Sequence, residues 1–205
     1  MLRLAPHIAH RLQRIEVILL ACSAGGFKVL VEMLKAFPEN LSIGVLVIIH
    51  RSPKYETNIE ESIGTKCRIA IKVAEEKEPI KPATAYFAPA GYHLLVEPDR
   101  SLSLDVSEPV NFCRPSIDVT MQSTADVYGA SVAAVLLSGA NQDGAQGMQT
   151  IRNAGGLCIV QHPEYAEIKA MPEAAIARGA ATLILNDEEL VVFSQELNNH
   201  ILKRD

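Results

Sequence analysis

Short, almost purely apolar runs that alternate with amphipathic stretches are the strongest constraint on how this chain can fold. Residues 15–22 and 43–50 are too continuously apolar for edge strands, which predicts central strands buried on both faces of a sheet. Between them, residues 27–37 carry apolar side chains at helical spacing, and Pro38 ends that pattern. The order strand, helix, strand predicts an α/β fold with a doubly wound, mainly parallel sheet and helices on both faces.

The rest of the chain extends this pattern, with one interruption. Residues 69–106 contain four prolines and no helical period, and their sequence predicts an antiparallel edge hairpin that turns at residues 98–101. Helices are expected at residues 57–66, capped by Thr57, and at 115–128, 144–154 and 172–178; Asn186 is expected to cap a final helix. Strands are expected at residues 131–138, 157–160 and 182–185.

Length, charge and cysteine spacing indicate a single domain and argue against several classes of protein. The 205 residues fit one domain, which we place at residues 15–205 after a basic N-terminal segment or linker remnant at residues 1–14. A net charge of −5 argues against nucleic-acid binding, and no apolar run reaches the roughly 18 to 20 residues of a membrane span. The four cysteines form no CxxC pair, so neither a structural zinc site nor a disulfide framework is expected, and a reducing cytoplasm fits best. We also expect no metal or organic cofactor.

Ser23 is the first candidate for chemistry, because it follows a buried strand directly and precedes a helix. Ligands of open α/β sheets bind beyond the carboxyl ends of the strands. The surrounding sequence ACSAGG has the small residues of a nucleophile elbow, in which amides at the start of the next helix can bind an oxyanion. A phosphate-binding turn and a purely structural turn remain open alternatives.

A serine nucleophile needs a base, and two of the six histidines end predicted strands. These are His50 and His162, of which His50 follows the strand nearest in sequence to Ser23. Asp143, in a glycine-containing loop after another buried strand, is the candidate for orienting the imidazole; its alternative role is a helix cap. The order Ser23, His50, Asp143 excludes the α/β-hydrolase and subtilisin scaffolds.

Six ordered segments resemble the catalytic domain of the CheB-type chemotaxis protein-glutamate methylesterases. ACSAGG resembles the nucleophile turn of that family, VIIHRSPKYET its histidine strand and LLSGANQDGAQGM its acid loop. YFAPAGYH, FCRPSIDV and MPEAAI resemble three further family segments, and together the six cover roughly residues 15–202. The resemblance implies hydrolysis of glutamate γ-methyl esters on chemoreceptor helices, with receptor glutamine deamidation as a second reaction that the sequence leaves open.

The resemblance also implies roles for individual residues. Ser23 becomes the nucleophile, His50 the general base and acid, and Asp143 the orienting carboxylate. Ala24, Gly25 and Ala140 are expected at the oxyanion hole, and Arg51 and Arg114 at the mouth, where they would attract an acidic receptor helix.

The chain departs from the family pattern at three points, and other functions remain open. Ala21 replaces a glycine of the family turn and Ala140 replaces a methionine, and the fourteen residues before Ile15 are too few for a receiver domain. A separate receiver or kinase protein is therefore a candidate partner. A non-catalytic signalling scaffold and a phosphate-ligand-binding module remain the alternative functions.

Overall fold

A seven-stranded, wholly parallel sheet forms the centre of the molecule. The computed structural model describes residues 2, 4–51, 54 and 58–201. The sheet has the order β3-β4-β2-β1-β7-β8-β9. Its strands are β1 (Val17–Cys22), β2 (Gly44–Ile49), β3 (Ala70–Val73), β4 (Thr84–Phe87), β7 (Val132–Leu136), β8 (Leu157–Gln161) and β9 (Leu183–Leu185), while β5 (His93–Val96) and β6 (Leu102–Asp105) form a separate hairpin. The chain builds outward from β1 to one edge and then returns to β7 on its other side, so a topological switch point lies between these two strands.

The central strands have the predicted burial on both faces. Every residue of β1, β2, β7 and β8 is buried. In β1, Ile18 and Leu20 point into one core and Val17 and Leu19 into the other, because successive side chains of a strand alternate between faces.

Helices cover both faces of the sheet and so confirm the doubly wound fold. On one face lie α1 (Pro6–Leu12), α2 (Phe27–Ala36), α3 (Ile59–Gly64) and α7 (Asp187–Ile201). The hairpin and three helices lie on the other, namely α4 (Ile117–Tyr128), α5 (Ala145–Asn153) and α6 (Ala170–Ala177).

The N-terminal helix α1 packs against the body of the protein. Its Ile8 and Leu12 are buried in the same core as the α2 and α7 side chains. Arg11 donates hydrogen bonds to the carbonyls of Gly155 and Gly156. The N-terminal segment expected at residues 1–14 therefore contributes a helix that packs against the expected domain at residues 15–205.

Residues 69–106 contain parallel strands as well as the predicted hairpin. β3 and β4 pair with each other and β4 pairs with β2, all in parallel, so these short strands form the sheet edge. The antiparallel hairpin of β5 and β6 is a second sheet, held against α4 partly by the Thr120 hydroxyl, which donates to the Leu94 carbonyl at 2.8 Å. β3 could not be predicted, because its four residues are exposed or half-buried and carry no clear pattern.

The helix ends follow the predicted signals closely. Asn186 caps α7 as expected, since its side chain accepts the Glu189 N–H while the Glu189 carboxylate accepts the Asn186 N–H, each at 2.9 Å. The expected cap at Thr57 lies outside the described residues. Within the described part of the chain, no helix is long and apolar enough to cross a membrane.

Candidate functional site

Three neighbouring strand ends bring the predicted site residues together. His50 follows β2, Ser23 follows β1, and the loop that contains Asp143 follows β7. The His50 N–H donates to the Cys22 carbonyl at 3.2 Å, and the Ser23 N–H donates to the Ser138 carbonyl at 2.9 Å. These backbone bonds fix the starts of all three segments at the switch point of the sheet, where α/β proteins bind ligands.

His50 and Asp143 form a buried hydrogen-bonded pair. The His50 Nε2 lies 2.7 Å from Asp143 Oδ2, and the two side chains are 10% and 0% exposed. Burial lowers the pKa of His50, but the hydrogen bonds with Asp143 and Cys113, together with the negative charge of Asp143, outweigh burial and raise that pKa to about 9. Because Nε2 faces the carboxylate, Nδ1 is the ring nitrogen left to exchange protons with other groups.

The start of α4 forms the socket that holds Asp143. Oδ2 of Asp143 accepts the Ile117 N–H at 2.6 Å, and Oδ1 accepts the Ser116 hydroxyl at 2.8 Å. Oδ1 also accepts the Asp118 N–H at 3.2 Å and the Asn111 side-chain amide at 3.3 Å. Burial alone would raise the pKa of Asp143, but its bonds from His50, Ile117 and Ser116 hold that pKa below the ordinary value. The carboxylate is thus ionised and fixed at a helix N-terminus, where negative charge is stabilised.

Asp118 is a second carboxylate beside Asp143. Its side chain accepts the Gly147 N–H at 2.7 Å and the Asn111 side-chain amide at 3.0 Å. Burial, with a contribution from the charge of Asp143, raises the pKa of Asp118 to about 6. Asp118 therefore belongs to the support of the site.

The turn after β1 has the backbone of a nucleophile elbow. Gly25 has a φ of +79°, and a Cβ at this position would lie 2.6 Å from the Glu167 Cβ, so glycine is required for both conformation and space. Within the described part of the chain, the N–H groups of Ala24, Gly25 and Ala140 have no hydrogen-bond partner. These three donors are available to an oxyanion.

The Ser23 side chain lies against the loop that follows β7. A Cβ built on Gly139 would be 3.0 Å from the Ser23 Cβ and 2.3 Å from the Met171 Cε. Among the described residues, no partner is found for the Ser23 hydroxyl, and the residue is partly exposed. Ser23 and His50 thus follow neighbouring strands at the same edge of the sheet, and the structure records no hydrogen bond between their side chains.

Cys113 is a site residue that sequence reasoning did not select. Its Sγ lies 3.5 Å from His50 Nδ1, and the Asn141 side-chain amide donates to Sγ at 3.2 Å. Cys113 and His50 are 63 positions apart in the chain, so no spacing rule could have linked them. Cys113 lies in the FCRPSIDV segment, whose resemblance to a family segment is the sequence signal for this region.

An open cavity of about 440 Å³ gives access to His50 and Cys113. Arg51 and Arg114, the two residues expected at the mouth, both line it. Arg51 pairs with Glu60 at 2.6 Å and donates to the Ala88 carbonyl, with only 13% of its side chain exposed. One Arg114 nitrogen, Nη1, donates to the carbonyls of Val106 and Ser107. Arg51 therefore takes part in an internal ion pair, whereas the bonds given for Arg114 go to backbone carbonyls. The attraction of these arginines for a receptor helix stays a prediction.

His162, the alternative base, lies at a different position. It follows β8, two strands away from β1, and its ring packs edge-on against Tyr165 with the centroids 5.7 Å apart. Its Nδ1 accepts the Glu164 N–H at 3.2 Å. The imidazole that binds Asp143 is thus His50.

Comparisons with known proteins show the family of the chain. The family model described as CheB methylesterase matches residues 18–192. A Leptospira interrogans relative is 38% identical over 92% of this chain and 98% of its own length. The protein-glutamate methylesterase/protein-glutamine glutaminase of Symbiobacterium thermophilum is 32% identical over 83% of this chain and 47% of its own length, so the chain spans about half of this relative.

A solved structure shows the same fold. It is the crystal structure of the Thermotoga maritima CheB methylesterase catalytic domain, which superposes with a TM-score of 0.84 at 26% identity. The match covers 89% of this chain and 98% of that domain. The chain belongs to the CheB methylesterase family.

Proposed function

We propose that this protein is a serine hydrolase that removes the γ-methyl ester from methylated glutamates of chemoreceptors. The observation that carries the proposal is the hydrogen bond between His50 and ionised Asp143 at the switch point, beside the Ser23 turn, in a chain of the CheB methylesterase family. A carboxylate and an imidazole placed next to a hydroxyl at a strand-to-helix turn are the components of nucleophilic ester hydrolysis.

In the proposed mechanism, Ser23 Oγ attacks the ester carbonyl carbon and His50 Nδ1 takes the hydroxyl proton. The carbonyl oxygen becomes an oxyanion, for which the N–H groups of Ala24, Gly25 and Ala140 are the available donors. The intermediate expels methoxide, which receives the proton from His50 and leaves as methanol. Water then attacks the acyl-enzyme with His50 again as base, which releases the glutamate side chain and restores Ser23.

Asp143 orients the base and stabilises its charge in this scheme. Its carboxylate accepts the Nε2–H of His50, which leaves the Nδ1 lone pair for the serine proton. When His50 becomes a cation, the ionised carboxylate at 2.7 Å stabilises it.

The same residues can deamidate glutamine. Attack of Ser23 on a side-chain amide gives the same acyl-enzyme, with ammonia in place of methanol as the leaving group. Relatives such as the Symbiobacterium thermophilum protein have names that combine the two activities. We include receptor glutamine deamidation in the proposal as a second reaction of one site.

The proposed setting is cytoplasmic, with the chemoreceptor helices as the substrate and residues 15–205 as one catalytic domain. A separate receiver or kinase protein is a proposed regulatory partner. Nucleic acid is not among the proposed partners, since the net charge is −5.

Methanol release from methylated receptor membranes tests the proposal. We expect release with the unaltered chain and a loss of roughly 10³-fold or more with Ser23→Ala, because the nucleophile is gone. His162→Ala is the control, since this histidine lies outside the site, and it should keep most of the activity. Near-normal release by Ser23→Ala would contradict the proposal, and receptor binding without methanol would favour the scaffold alternative.

A further inference from the structure

The pairing of Cys113 with His50 has no place in the proposed mechanism. Cys113 Sγ and His50 Nδ1 face each other at 3.5 Å beside the open cavity. One ligand atom each from His50, Cys113 and Asp143 lies within 4.8 Å of the others. Imidazole nitrogen and thiolate sulfur are the two donor types that zinc prefers in proteins.

The separation of the two donor atoms fits a metal chelate without rearrangement. Zinc bonds of about 2.3 Å to sulfur and about 2.0–2.1 Å to nitrogen, at a tetrahedral angle, place those two atoms about 3.5–3.6 Å apart. The observed separation of Sγ and Nδ1 is 3.5 Å. The N–S pair is therefore already at the distance that a tetrahedral zinc ion requires.

Asp143 supports this site from the other side of the imidazole. Its two oxygens already accept hydrogen bonds from Ser116, Ile117, Asp118 and His50, so it is not a free ligand. A carboxylate that accepts the second ring N–H of a metal-binding histidine fixes the ring and strengthens the metal bond. The two coordination positions that remain would open into the cavity, where water can fill them.

We propose that His50 Nδ1 and Cys113 Sγ form a chelating site for Zn²⁺, and that zinc bound there blocks ester hydrolysis. The binding site stands on the geometry alone, whereas the inhibition rests on the proposed function. Binding replaces the thiol proton of Cys113 and, where His50 is protonated, releases the Nδ1 proton as well, so that the metal occupies the Nδ1 lone pair. That lone pair is the one which must accept the Ser23 proton, so a zinc-bound His50 cannot act as the base.

Cobalt binding tests the site independently of turnover. Co²⁺ added to chelator-treated protein should give a thiolate-to-cobalt charge-transfer absorption that saturates at one ion per chain. Cys113→Ser, Cys113→Ala and His50→Gln should abolish it, provided that circular dichroism shows each variant to be folded. Cys67→Ser is the matched control, because Cys67 is the other cysteine that is not fully buried, and it should keep the absorption. Ser23→Ala should keep it too.

The outcomes of this experiment separate the two claims. The proposed site is overturned if cobalt gives no saturable absorption, or if the absorption survives in both Cys113 variants. The result does not depend on activity, so a failure of the proposed hydrolase leaves this test intact.

Zinc titration of small-ester hydrolysis tests the inhibition. We expect the rate to fall by roughly 10²-fold or more at saturation, the effect of losing a general base, and to recover with a chelator. Cys67→Ser should be inhibited as the unaltered chain is. In Cys113→Ser, inhibition relative to that variant's own metal-free rate should need at least about tenfold more zinc, since one ligand is lost. An unchanged rate when the metal is bound would overturn the inhibitory role of zinc, while the proposed binding site would stand.

Discussion

The raised pKa of His50 predicts an unusual pH dependence of ester hydrolysis. An ordinary histidine with a pKa of about 6.5 predicts that kcat/KM falls as the pH drops through roughly 6 to 7. In this structure the bonds of His50 with Asp143 and Cys113 outweigh its burial and raise the pKa to about 9. A base must be neutral to accept the Ser23 proton, and with this pKa only about one His50 in a hundred is neutral at pH 7.

The size of the effect separates the two pKa values clearly. With a pKa of about 9, kcat/KM should rise about 50-fold between pH 7 and pH 9, whereas a pKa of about 6.5 allows a rise of only about 1.3-fold. The assay is hydrolysis of a small neutral ester, with the rate of Ser23→Ala subtracted to remove alkaline background. In Asp143→Asn, the midpoint of the remaining activity should move down toward 6.5, because the carboxylate that stabilises the imidazolium is lost. A wild-type midpoint at pH 6 to 7 that Asp143→Asn leaves in place would refute the reasoning.

Three further predictions concern the walls and the rim of the site. Gly139→Ala should reduce kcat/KM by more than about tenfold and lower the free energy of unfolding by about 1–3 kcal/mol, because the new Cβ would lie 2.3 Å from a Met171 side-chain atom and 3.0 Å from the Ser23 Cβ. Unchanged kinetics would contradict this contact. Arg51→Met should lower the free energy of unfolding, measured in urea, by about 3 kcal/mol, since it leaves the Glu60 carboxylate unpaired at 11% exposure. The added substitution Glu60→Leu should restore part of the loss, and equal stability of all variants would count against a buried pair. Phe112→Ser should lower kcat/KM on methylated receptor more than on a small ester, with little change in stability, because this fully exposed aromatic residue lines the cavity and is placed to contact a protein substrate. Equal effects on the two substrates would argue against such contact.

The fold could be predicted where one physical constraint dominates the sequence. β1 and β2 are apolar at every position because both faces of the sheet are covered, and the capping box at Asn186 is a local signal. β3 gave no such signal, since an edge strand of four residues buries little apolar surface. Its parallel pairing with β4 depends on tertiary contacts.

The site shows the same division between local and tertiary information. Ser23, His50 and Asp143 could be selected because each follows a buried strand, and the carboxyl ends of parallel strands meet. Cys113 could not, since it follows no strand of the main sheet. The partners of Arg51 and Arg114 could not be predicted for a related reason: sequence shows a charge but not what it binds, and in the structure Arg51 pairs with Glu60 while Arg114 donates to backbone carbonyls. Their attraction for a receptor helix stays a prediction.

Covalent labelling of Ser23 tests the central claim most directly. A fluorophosphonate reacts with an activated serine hydroxyl, and peptide mass spectrometry identifies the labelled residue. We expect one adduct per chain, on Ser23, and labelling slowed by roughly 10²-fold or more in His50→Gln, where the base is removed. No adduct on Ser23, or labelling of Ser23 at the same rate in His50→Gln, would contradict the account.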